Sequence, residues 1–126
     1  MMRYLALIYL NESELAAIPP PEASDLNARH LDLNDRLRAT GNFIVAEALA
    51  PAQETKRVSK RNGKTHVVDG PFTEAKEVVA GFYLIEADTL EQATEIVSNI
   101  PSASLGTIEV RPCRQLIVEG RPLRWG

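Results

Sequence analysis

The chain has 126 residues, a length that suits one domain able to bury a core without disulfide or metal staples. Apolar residues make up 44% and charged residues 25%, which excludes a disordered or fibrous chain. With 14 Lys plus Arg against 17 Asp plus Glu the formal charge is -3, so the basic excess of a dedicated nucleic-acid binder is missing. The one cysteine, Cys113, cannot form an intrachain disulfide, and nothing in the composition calls for an oxidising compartment. The apolar run from Tyr4 to Leu10 ends at Asn11-Glu12 without a small-residue cleavage site. No apolar stretch approaches the roughly 20 residues of a membrane-spanning helix, and the expected location is the cytoplasm.

Residues 3–10 are uninterrupted aromatic and aliphatic types, which predicts a strand buried on both faces. Glu12 to Ile18 has room for a turn or two of helix before Pro19-Pro20-Pro21 stops it. Ser24 or Asp25 is then expected to cap a longer helix that runs to about Thr40 and ends at Gly41. Its apolar stripe is Leu26, Leu33 and Leu37, and the spacing puts His30 on that same side. Residues 43–49 predict a second strand, closed by Pro51. A hairpin follows, with 55–61 and 64–69 flanking Asn62-Gly63, two residues that tolerate the positive φ of a type I′ turn.

Glu77 to Glu86 is a strong strand, again apolar on both faces. Thr89 is expected to cap the next helix, with Gln92 completing a capping box. Leu90, Ala93, Ile96, Val97 and Ile100 supply the buried stripe, and Pro101 ends it. A last strand over about 107–111 precedes a polar tail through Trp125. The order is α+β: a ferredoxin-like βαββαβ plan with an inserted β-hairpin. Two helices cover only one face of such a sheet, yet two strands are apolar on both. A second copy packed face to face is the simplest cover, so the expected assembly is a homodimer forming an α+β barrel.

Most chemical motifs fail on inspection. Gly63-Lys64-Thr65 imitates a phosphate-binding loop, but Val58 stands where the pattern needs glycine and a strand follows instead of a helix. The basic run Lys56, Arg57, Lys60, Arg61, Lys64 lacks interleaved aromatic residues and reads as a solvated hairpin edge that discourages strand pairing. Two histidines and one cysteine in no recognised spacing do not form a closed zinc site, and no metal or other cofactor is implied. No Gly-x-Ser-x-Gly elbow exists, and Cys113 reads as a small buried hydrophobe.

The segment Asp69-Gly70-Pro71-Phe72, followed by Thr73-Glu74-Ala75-Lys76-Glu77 and a buried strand, is different. It resembles the signature of the DGPF-domain proteins of the YCII-related superfamily. The likeness extends over the opening Met2-Arg3-Tyr4 strand, Arg38-Ala39-Thr40-Gly41, Gly81-Phe82-Tyr83-Leu84-Ile85 and Ile108-Glu109-Val110-Arg111-Pro112, covering about residues 1–112 and leaving 113–126 as a tail. The resemblance implies a dimeric α+β barrel and a site where an aspartate after the hairpin strand, Asp69, lies near a histidine of the first helix, His30. It implies kinship with lyases and isomerases acting on small ring compounds. Through frequent neighbourhood with extracytoplasmic-function sigma factors in bacterial genomes, it also implies a regulatory role.

Two readings of His30 and Asp69 stand side by side. In one, the carboxylate fixes the imidazole tautomer and favours its protonated form, preparing a general acid–base pair. In the other, Asp69 is a turn former and His30 a core histidine bonded to backbone. Phe72, Thr73, Glu74 and Tyr83 are expected to line a small-molecule pocket at the barrel mouth, unless Phe72 merely plugs the end of the core. The expected function is small-molecule binding with cofactor-free proton transfer. The alternative is a non-enzymatic module that senses a ligand or docks on a partner such as a sigma factor.

Overall fold

The computed structural model describes residues 1–72 and 75–126. Strand β1 (Met2–Asn11) alternates strictly: Tyr4, Ala6, Ile8 and Leu10 are buried, while Leu5, Leu7 and Tyr9 between them are half-buried. Asn11 ends the strand by accepting the Glu14 backbone N–H at 3.1 Å, which caps the short helix α1 (Glu12–Ala16). Helix α2 (Pro20–Ala39) starts earlier than expected, and Ser24 and Asp25 lie inside it. The proline run does stop α1, but it also begins α2. Pro19 takes the N-cap position and prolines fill the first turn, where helical N–H groups have no intrahelical acceptor to lose. At the other end Gly41 turns at φ +77° and Asn42 donates its N–H to Leu37 O at 2.9 Å, closing the helix as anticipated.

Strand β2 (Phe43–Ala48) leads through a 3-10 turn to the hairpin β3 (Lys56–Arg61) and β4 (Lys64–Asp69). Asn62 and Gly63 both have positive φ, the type I′ geometry that their identity predicts. Strand β5 (Glu77–Ala87) precedes α3 (Leu90–Ser98), whose Thr89 Oγ1 accepts from Gln92 N–H at 3.1 Å. Gln92 reaches back to the Asp88 N–H at 2.6 Å, one residue before the cap. Ala93, Val97 and Ile100 are buried as expected, whereas Leu90, in the exposed first turn, is 45% exposed. A second 3-10 turn (Pro101–Ser104) leads to β6 (Thr107–Pro112).

The main sheet has the order β2-β5-β1-β6, antiparallel throughout. That is the ferredoxin-like arrangement, with β3–β4 inserted as a separate two-stranded ribbon. One face carries the core of Tyr4, Ile8, Leu33, Leu37, Tyr83 and Ile85 beneath the helices. The other face presents Leu5, Leu7 and Tyr9 of β1 with Phe82 and Leu84 of β5, all half-buried.

The polar tail beyond β6 has structure of its own. It forms a hairpin of β7 (Gln115–Val118) and β8 (Arg121–Trp125), turning at Glu119 and Gly120, both at positive φ. Glu119 adopts φ +51° without the Asn or Asp that normally marks such a turn. The hairpin is tied to β1 where Cys113 donates its N–H to Arg3 O at 2.9 Å, and where the Arg3 guanidinium lies 5.6 Å from the Trp125 ring centroid.

Candidate functional site

Two candidate places stand out among the described residues, and they lie on opposite faces of the sheet. The first is built around His30. Its position on the inward stripe of α2 carries the imidazole over the sheet, where both ring nitrogens find hydroxyl partners. Nδ1 is 3.0 Å from the Tyr83 hydroxyl and Nε2 is 2.7 Å from Ser102 Oγ. A neutral imidazole has one donor and one acceptor nitrogen. One hydroxyl therefore donates to the ring while the other accepts from it. Tyr83 is 3% exposed and its ring meets Phe43 edge-on, with centroids 6.4 Å apart. Ser102 is 4% exposed in the turn after Pro101.

Burial sets the electrostatics of this cluster. It lowers the His30 pKa below the ordinary value, and the neighbouring Arg29 charge adds to the effect. Burial also pushes the Tyr83 phenol up to about 12. The cluster is thus a neutral imidazole between two neutral hydroxyls at physiological pH. No carboxylate is among the hydrogen-bond partners of this ring, and burial favours its neutral form.

Asp69 is not one of the hydrogen-bond partners of His30. It ends β4 on the inserted ribbon, is exposed, and pairs with Lys56 directly across the strands. The two predicted catalytic residues are not brought together within one chain, because β4 belongs to the ribbon rather than to the sheet beneath α2.

The second place is a cavity of about 620 Å³ between the end of β1 and β5, the segment after β2, and the Asp-Gly-Pro-Phe loop. Tyr9 and Val79, opposite each other in the ladder, form part of its floor from the sheet face that the helices leave open. Phe72 forms a lip, 86% exposed, so it does not plug the core. Tyr83 points to the helix-covered side and does not line this cavity, which separates two residues expected to share a wall. Thr73 and Glu74 lie outside the described residues.

Two residues went unread in the sequence. Arg57 belongs to the basic run that reads as a solvated edge, but it is half-buried: its Nε donates to Gly70 O at 3.1 Å and its guanidinium lies 6.0 Å from the Phe72 ring centroid. The available signal was strand alternation, which turns Arg57 away from the face that exposes Lys56, Val58 and Lys60. Ser102 carried no signal beyond its place next to Pro101. Among the described residues, no three His, Cys, Asp or Glu side chains converge as a metal site, and no helix is long and apolar enough to cross a membrane.

Comparison with known proteins places this geometry in context. The sequence profile of the YCII-related domain matches residues 2–117. An uncharacterised protein of Rhizobium meliloti (strain 1021) is 31% identical over 113 residues, covering 88% of this chain and 91% of that protein. Among solved structures, the fold is similar to 5-chloro-2-hydroxyhydroquinone dehydrochlorinase (TftG) from Burkholderia phenoliruptrix AC1100, in complex with 2,5-dihydroxybenzoquinone. The TM-score is 0.55 at 20% identity, over 90% of this chain and 95% of that one. At that identity the likeness is one of fold.

Proposed function

The chain belongs to the YCII-related family, and from that premise we propose that it binds a small molecule and transfers a proton on it without a cofactor, in the manner of a lyase or isomerase. The observation that carries the reading is the cavity of about 620 Å³ beside the Asp-Gly-Pro-Phe loop, a volume within the usual range of small-molecule sites. Phe72 supplies an apolar lip, and Thr73 and Glu74, which follow it in the sequence, are proposed as further ligand contacts. Asp69 is the carboxylate on the strand that enters the loop. His30 is neutral but lies across the sheet from this cavity with both ring nitrogens bonded to hydroxyls, so its proton-accepting role in this proposal rests on the family likeness alone. The dehydrochlorinase that shares the fold was solved with a quinone bound, which supports a small-molecule reading here. In this proposal the working unit is a cytoplasmic homodimer of the DGPF type. The open sheet faces of two copies would then cover Leu5, Leu7, Phe82 and Leu84.

Asp69→Asn and His30→Gln test the reading directly. In a screen of hydroxylated ring compounds, both variants should lose turnover while circular dichroism shows the native fold. Turnover unchanged in both variants would refute the proton-transfer role.

Two observations favour a second reading. Both nitrogens of His30 are occupied by protein hydroxyls, and the ribbon exposes Val58, Val67 and Val68. Those features suit a non-enzymatic module that senses a ligand at the cavity and docks through the ribbon on a partner such as a sigma factor. On that reading, Asp69→Asn leaves partner binding intact and no substrate is turned over.

A further inference from the structure

The proposed small-molecule site takes on a more definite character when its charged residues are separated by exposure. Among the described residues, the charged side chains lining the cavity are Arg57, Glu54 and Glu77. The two glutamates are exposed at the rim, where water screens them. Arg57 is half-buried and held in place through its Nε bond to Gly70 O, 3.1 Å. That bond occupies one edge of the guanidinium and leaves the terminal amino groups for other acceptors. None of the ion pairs among the described residues uses Arg57. A guanidinium tethered by its Nε and oriented beside an apolar wall is a donor fork matched to a carboxylate, with its conformational cost already met by the protein.

The walls specify the rest of the ligand. Phe72 exposes 86% of its surface at the lip, and its ring lies within 6.0 Å of the Arg57 charge. Tyr9 and Val79 close the floor. An aromatic ring laid against Phe72 gains apolar burial and ring-edge contacts that an aliphatic chain would only partly match. The rim glutamates then act as a filter. A second negative charge on the ligand would approach Glu54 or Glu77, whereas a neutral hydroxyl donates a hydrogen bond to either.

We propose that this cavity is a binding site for a hydroxylated aromatic monocarboxylate, its carboxylate held by Arg57 and its ring covering Phe72. The proposal rests on the reading of the cavity as a small-molecule site and names the class that site takes.

The test compares three probes on the native protein by amide and methyl chemical-shift perturbation: 4-hydroxybenzoate, hydroquinone and benzene-1,4-dicarboxylate. The monocarboxylate should shift Tyr9, Phe72 and Val79 and bind more tightly than the other two. Arg57→Met should weaken it about tenfold or more, the loss expected of a charge-assisted hydrogen bond. Phe72→Ala, at an exposed position where folding is not at risk, should weaken it severalfold. Equal binding of hydroquinone and 4-hydroxybenzoate, together with indifference to Arg57→Met, overturns the anion class and leaves the small-molecule site standing. Tightest binding by the dicarboxylate overturns the filtering role of Glu54 and Glu77. If none of the probes shifts a cavity residue, both this proposal and the reading beneath it fail.

Discussion

Replacing Tyr83 by phenylalanine tests the neutral hydroxyl–imidazole cluster at its most buried member. The side chain is 3% exposed, and its ring contact with Phe43 survives the change. What disappears is the hydroxyl that meets His30 Nδ1 at 3.0 Å. At neutral pH the loss of this bond, with a ring nitrogen left short of a partner, should cost about 1–2 kcal/mol. The alkaline limb gives a second and more diagnostic number. Unfolded Tyr83 ionises near 10 and the native phenol near 12, so between those values the unfolded chain has released a proton that the native state still holds. Stability is therefore whole below about pH 10 and falls as pH rises toward 12. The loss amounts to about 1.4 kcal/mol at about pH 11 and at most about 2.7 kcal/mol beyond the native pKa. Against a typical domain stability of about 5–15 kcal/mol that is readily measured. Urea titrations followed by far-ultraviolet circular dichroism, at about pH 8 and about pH 11, separate this effect from other alkaline titrations by difference. Tyr83→Phe should lie below the native protein at the lower pH and draw level with it at the higher. Two curves that stay parallel would refute the claim that the phenol is held neutral by burial.

The remaining predictions concern the acid limb and the floor of the cavity. His30 has a native pKa below its unfolded value of 6.5, so the unfolded chain binds a proton first as pH falls. Stability should be full above that value, decline as pH drops through it, and level off below the native pKa. His30→Gln, which keeps a donor and an acceptor, should flatten this decline in melting temperatures taken across the acid range; an identical decline in both proteins would show that His30 is not its source. Gly106 lies so close to β1 that an added Cβ would fall onto the Tyr9 carbonyl oxygen and within 2.8 Å of a Leu10 methyl. Gly106→Ala should therefore cost about 1–3 kcal/mol by denaturant titration and move the Tyr9 resonances, whereas a neutral substitution would mean that the strand edge yields freely.

The order of elements was legible because each rests on a local rule. Asn62-Gly63 turned as its φ preferences require, Thr89 with Gln92 began α3, and Gly41 ended α2. Two local rules misled. The proline run read as a stop is also a legitimate start, since nothing in the chain before a helix distinguishes the two uses of proline. The tail hairpin turns on Glu119-Gly120, where Glu119 takes a positive φ that its side chain does not advertise.

The candidate site shows a deeper limit. Periodicity placed His30 on the inward side of α2 correctly, but a face is not a partner. The groups that complete it stand 53 and 72 residues away, at Tyr83 and Ser102, and come together only through the order of strands in the sheet. Asp69 enters as a partner of His30 through the family resemblance, which names an aspartate after the hairpin strand. Yet that strand belongs to a ribbon outside the main sheet, where its cross-strand neighbour is Lys56. Arg57 was the converse case, since alternation along β3 already set it apart from Lys56 and Lys60. A run of like charges invited reading by composition, although a strand distributes its side chains between two faces. The residue that faces inward from a charged ribbon lies beside apolar surface and keeps its hydrogen bonds to the protein, which is the condition for a charge to select a ligand rather than merely hold water.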